Sequence, residues 1–140
     1  MQVKKIIIHY SATPQGESYT AADIRRWHLQ RGFNDIGYHW VIRLDGTIEP
    51  GRSETKIGAH CLGQNAQSIG ICYIGGCPPR TTPGWANKGI DTRTPAQKAA
   101  LIKLLRELKT RYPNATIHGH NEFAAKPCPG FNARQEYANL

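Results

Sequence analysis

The sequence predicts an α/β fold: a single domain in which a mixed central β-sheet carries helices on both faces. Extended, β-branched runs recur along the chain, two segments with full helix-start signals interrupt them, and the resulting order is β-α-β-β-β-α-β. Hydrophobic residues make up 39% of 140 residues, enough for one core, and no repeat or linker divides residues 1–140.

Val3 to Ile8 is rich in β-branched residues and reads as a buried central strand that ends just before His9. Thr20-Ala21-Ala22-Asp23 has the form of a capping box and Gly32 that of a C-terminal stop, which predicts a helix over 21–31 with Ile24 and Trp27 facing the core. Tyr38 to Leu44, then Asp45-Gly46, then Thr47 to Glu49, spells a β-hairpin. Ile69 to Ile74 is another strand, closed by Gly75-Gly76, and the proline and glycine density from Cys77 to Arg93 predicts a long loop. Thr94, Pro95 and Gln97 combine N-cap, first-turn proline and capping-box glutamine. The stripe Leu101, Leu104, Leu105, Leu108 and Tyr112 then gives a helix its buried side, and Pro113 ends it. Ala115 to His118 forms a short strand leading into a 119–130 loop, and a short helix follows Asn132.

Composition narrows the partners. Eighteen Lys and Arg against ten acids give a net charge of +8, a surface suited to polyanions. Nucleic acid is excluded as the partner: basic and aromatic residues are not interleaved, and no helix-turn-helix or zinc-finger spacing occurs. The start Met1-Gln2-Val3-Lys4-Lys5 lacks the long apolar run of a secretory leader, and no stretch reaches bilayer length. The expectation is a chain made in the cytoplasm, without stable membrane association, and monomeric. Its four cysteines do not form a disulfide framework, so they are expected to be reduced.

Three residues together suggest a metal. His9 stands at the C-terminal end of a buried strand, where ligands collect in α/β sheets. His120 lies just past another strand, and Cys128 follows with seven residues between them, held between Pro127 and Pro129. Two imidazoles and a thiolate suit Zn2+, and three protein ligands leave a fourth position open for water, the mark of catalytic zinc. Lys126, close to Cys128, favours the thiolate. His118 is the second choice of ligand, because Gly119 breaks the alternation that would put it on the His120 face. Cys72 reads as core, and Cys61 and Cys77 show no metal spacing. His28 reads as a packing or surface residue of its helix, His39 points opposite to Tyr38, and Glu122 is structural.

At Ile8-His9-Tyr10-Ser11-Ala12-Thr13, Ile24-Arg25-Arg26-Trp27-His28, Ile36-Gly37-Tyr38-His39-Trp40, Gly58-Ala59-His60, Ser68-Ile69-Gly70-Ile71 and Lys126-Pro127-Cys128-Pro129 the chain resembles the type 2 N-acetylmuramoyl-L-alanine amidases. Within that family it is most similar to the small phage lysozymes that cut an amide; animal peptidoglycan recognition proteins share the superfamily. The resemblance covers nearly the whole chain and implies zinc on His9, His120 and Cys128, with Tyr38 and Lys126 catalytic. It also implies that His60 and Asn65 bind substrate, that peptidoglycan is the partner, and that the activity is cleavage between N-acetylmuramic acid and L-alanine. The wall would be reached after release from the cell, or wall fragments would be met during recycling. Two alternatives come with it, a binding module that does not cut and a regulator of a phage RNA polymerase. The 77–93 loop matches no motif of the family.

Overall fold

A computed structural model describes residues 1–140. The central strand β1, Lys5–Tyr10, buries Ile6, Ile7 and Ile8 completely, because it has a hydrogen-bonded neighbour on each edge and helices over both faces. A two-residue strand β2, Thr13–Pro14, follows, then α1, Ala21–Gln30, and the hairpin β3, Trp40–Ile42, with β4, Ile48–Pro50. Next come β5, Ser68–Tyr73, the short β6, Gly76–Cys77, helix α2, Pro95–Arg111, β7, Thr116–Gly119, and α3, Ala133–Glu136. The main sheet has the order β4-β3-β5-β1-β7, parallel throughout except for the antiparallel β3–β4 pair, and β2 pairs with β6 in a separate two-stranded ribbon.

Side-chain alternation divides the sheet into two faces. Ile6 and Ile8 of β1 and Ile69, Ile71 and Tyr73 of β5 pack with Leu101, Leu104, Leu105 and Leu108 of α2 and with Ala133 of α3. Each such leucine contributes about 1.5–3 kcal/mol by leaving water. On the opposite face Val41 and Cys72 pack with Ala21 and Ile24 of α1, with Trp27 partly buried beside them. Helices therefore lie on both faces of a mixed sheet, as the element order requires.

The start signals in the sequence act as anticipated. Thr20 accepts the Asp23 amide and Asp23 accepts that of Thr20; Thr94 and Gln97 do the same ahead of α2. In the hairpin turn Gly46 sits at φ 88°, a left-handed geometry that a β-carbon resists, which accounts for the Asp45-Gly46 pair. Differences lie at element boundaries and in short elements that the sequence does not mark, the β2–β6 ribbon among them. β1 runs two residues beyond Ile8 because His9 and Tyr10 pair with Cys72 and Tyr73 of β5. The last strand begins at Thr116 and takes in Gly119. The 77–93 stretch is more ordered than a loop: Gly76–Cys77 is paired and Trp85–Asn87 makes a 3-10 turn.

Candidate metal centre

Strand register assembles the site. Ile8 of β1 lies opposite Gly119 of β7, so His9 and His120 leave the same end of adjacent parallel strands, their ring centroids 4.6 Å apart. Because Ile6 and Ile8 face α2, alternation turns His9 to the α1 face. Cys128 reaches the same point from a loop fastened at several places. The Asn121 amide donates to the Cys128 carbonyl at 2.7 Å, the Tyr73 hydroxyl to the Pro129 carbonyl at 2.6 Å, and the Tyr10 amide to Cys128 Sγ at 3.3 Å. The peptide bond between Cys128 and Pro129 is cis.

One donor atom each from His9, His120 and Cys128 lie within 4.8 Å of one another, and His9 Nδ1 is 3.9 Å from Cys128 Sγ. Zinc bonds of about 2.0–2.1 Å to nitrogen and 2.3 Å to sulfur set tetrahedral donors roughly 3.3–3.6 Å apart. Small side-chain rotations close the difference, so the donor set fits zinc in number, chemistry and spacing.

The surroundings keep the imidazoles in the neutral form that a metal needs. Burial, then the neighbouring His60, His120 and Lys126, hold His9 well below its ordinary pKa; burial and Lys126 lower His120. Lys126 acts on Cys128 in the expected direction without deciding the outcome for that thiol. Burial pushes the Cys128 thiol up to about 12, outweighing the downward pull of the Tyr10 amide and Lys126. A thiolate here would thus come from metal binding more than from the nearby lysine.

These three groups line the floor of an open cleft of about 840 Å³, with Tyr38, His60, Asn65 and Lys126 around them. Tyr38 is partly buried, with its ring centroid 5.1 Å from that of His9. Burial and the adjacent Cys72 and Cys128 thiols raise its phenol well above the ordinary value, so it carries a proton to donate. Lys126 is exposed at the rim. His60 is turned inward: its Nδ1 lies 2.9 Å from His9 Nε2 and its Nε2 3.2 Å from Ser68 Oγ. Asn65 Oδ1 accepts the backbone amides of His60 and Cys61, both at 2.9 Å. Both residues expected to bind substrate border the cleft, yet their polar atoms are largely engaged with the protein.

Of the remaining candidates His28 and Cys61 also line the cleft, whereas His39, His118, Cys72 and Cys77 do not. His118 is held by Thr116 and Glu122, at 2.6 and 2.9 Å, and Glu122 also accepts the Gly119 amide. His39 accepts the Gly70 amide and donates to the Lys56 carbonyl; His28 accepts the Gly37 amide. Cys61, Cys72, Cys77 and Cys128 are all buried and unpaired. No residue of the 77–93 stretch lines the cleft. Its Ile90 amide instead donates to Gly76, while Arg80 forms an ion pair with Glu17.

An α/β sheet that delivers two histidines and a cysteine to an open cleft has the donor set of a metal-dependent hydrolase. Comparison with known proteins narrows this. The sequence pattern of the N-acetylmuramoyl-L-alanine amidases matches residues 1–131, and the chain belongs to that family. It is 40% identical over 134 residues to the endolysin of Klebsiella phage KP32, covering 96% of this chain and 85% of that one. Among solved structures it is similar to the N-acetylmuramoyl-L-alanine amidase LysC from Clostridium intestinale, with a TM-score of 0.79 and 33% identity over 97% of this chain and 82% of that one. Drosophila PGRP-LB superposes with a TM-score of 0.77 at 29% identity, covering 99% and 81%.

Proposed function

We propose that the protein is a phage-type endolysin that hydrolyses the amide between the lactyl group of N-acetylmuramic acid and L-alanine in peptidoglycan, with residues 1–140 forming one amidase domain. The observation that carries this reading is the convergence of His9, His120 and Cys128 beneath a cleft bordered by Tyr38 and Lys126. Zinc, which His9, His120 and Cys128 would hold, would supply Lewis acidity and activate a water nucleophile. His9 and His120 contribute neutral nitrogens and Cys128 a sulfur. As the scissile carbonyl becomes tetrahedral, the Lys126 ammonium stabilises the charge growing on its oxygen. The protonated Tyr38 phenol donates a hydrogen bond to the same centre, or passes its proton to the leaving amine.

Charge supports the substrate class. Arg31 and Lys126 border the cleft and no acidic residue does, which suits a ligand rich in carboxylates. No helix is long and apolar enough to cross a membrane. In this reading the protein is a monomer acting at the wall without lasting membrane contact. The deciding experiment incubates the protein with purified sacculi and measures new N-terminal alanine. Its release at a rate that a zinc chelator abolishes supports the proposal. Sacculi that bind the protein without gaining amino termini make it a recognition module instead.

A further inference from the structure

The His9 nitrogen that faces away from Cys128 is not free. Its Nε2 lies 2.9 Å from His60 Nδ1, His60 Nε2 lies 3.2 Å from Ser68 Oγ, and the Ser68 hydroxyl donates to the Gln64 carbonyl at 2.8 Å. The proton count along this chain has one solution. A carbonyl only accepts, so the single Ser68 hydrogen is committed to Gln64. Ser68 Oγ must then accept from His60, which places the His60 proton on Nε2. His60 Nδ1 is left bare and accepts from His9, so the His9 proton sits on Nε2 and its Nδ1 lone pair is exposed. That is the atom 3.9 Å from Cys128 Sγ. The reverse order would need one hydroxyl hydrogen to serve both His60 and Gln64.

Several features hold His60 in this place. Ser68, Gly70 and Cys72 share one face of β5, opposite Ile69, Ile71 and Tyr73, which pack beneath α2. Gly70 is paired with Ile7 and Cys72 with His9. The imidazole of His60 lies flat over Gly70: a β-carbon there would come within 2.6 Å of the ring. From the loop side, Asn65 Oδ1 fixes the His60 and Cys61 amides. A ring at this position is thus held from below by the missing side chain of a glycine, from one end by Ser68, and through its backbone by Asn65.

We infer that His60 is a positioning residue which, with Ser68 and the Gln64 carbonyl behind it, locks His9 into the tautomer that offers Nδ1 to the zinc. This rests on the zinc reading above, and His60 touches neither metal nor substrate in it. Fixing a ligand through its second ring nitrogen sets both its orientation and its basicity, and loss of such a partner typically weakens metal affinity about 10- to 100-fold.

Two measurements test it. Long-range 1H–15N spectra of the zinc-free wild-type protein should show His9 and His60 both protonated on Nε2 and bare on Nδ1. His9 protonated on Nδ1 with Nε2 bare would overturn the inference, and this outcome is independent of whether zinc binds. Chelator competition should then give His60→Ala a zinc affinity about 10- to 100-fold weaker than wild type. His60→Asn, whose amide oxygen can take the place of Nδ1 as acceptor, should recover much of that loss. Ser68→Ala keeps the His60 ring but removes its acceptor, and should leave His9 in a mixture of tautomers if His60→Ala fails to fold. Unchanged affinity in folded His60→Ala sinks the inference. Failure of the wild type to bind zinc sinks the reading of the metal centre instead.

Discussion

Cys128 and His120 differ in what they ask of the fold. His120 needs only the end of β7 beside β1, whereas Cys128 must be carried back by the intervening loop, whose backbone is held by Tyr73 and Asn121. Removing the sulfur should therefore leave the loop in place and empty the site: Cys128→Ala is expected to purify folded with less than a tenth of the zinc of wild type by elemental analysis, roughly in line with the loss of one of three ligands. Tyr38→Phe and Lys126→Ala should behave oppositely. Each keeps full zinc and loses about 100- to 1000-fold in the rate of alanine release, as expected when one preorganised donor is removed. Near-wild-type rates in both would take them out of the reaction. The zinc trio was legible in the sequence because each member is marked locally, by a strand end or by flanking prolines. His60 was legible only as a neighbour of substrate. Its partner His9 is 51 residues away, and the contact depends on the β1–β5 register and on the bare face of Gly70.

Elements were readable in proportion to how local their causes are. Both helix starts follow from residues three apart, and the structure places them where the capping boxes stand. Strand ends depend on partners instead: β1 extends through Tyr10 because β5 offers Cys72 and Tyr73, which no window of sequence around His9 reveals. The same holds for the join between the 77–93 stretch and the C-terminal helix. Arg93, buried, stacks 3.4 Å from the Phe131 ring centroid and pairs with Asp91 at 2.9 Å and Glu136 at 2.6 Å. The Asp91 carboxyl is disfavoured by burial, but the Arg93 hydrogen bonds prevail and hold it below its ordinary pKa; Arg93 likewise lowers Glu136. Acids with depressed folded values contribute stability above their unfolded pKa and lose it as pH falls through the folded value. Wild-type stability should thus decline below about pH 4.5, where such acids begin to protonate when unfolded. Arg93→Ala should cost about 2–3 kcal/mol at neutral pH, less than a wholly buried pair because both acids keep contact with water. Its stability should also fall less steeply in acid. Denaturant melts at pH 7 and pH 3 check both; equal slopes for the two proteins would contradict the assignment.

Taken whole, the molecule is a cation of +8 whose cleft is bordered by Arg31 and Lys126 and by no acid. Long-range attraction to a carboxylate-rich wall follows, and it is screened over about 10 Å at 0.1 M salt. The rate of lysis at limiting enzyme should fall as ionic strength rises, while turnover of small uncharged amide analogues stays level; a flat response for the wall would rule out steering. Fold class and net charge are legible in the sequence, since both are sums over the chain. The shape of the cleft is not, because it is set by segments far apart in the chain. The central claim is a single zinc gripped by two nitrogens and one sulfur with a fourth place left for a light atom. X-ray absorption at the zinc edge of the purified enzyme tests it most directly. It should report three nitrogen or oxygen neighbours near about 2.0–2.1 Å and one sulfur near about 2.3 Å. A shell without sulfur, or one with two or more sulfurs, would contradict the account.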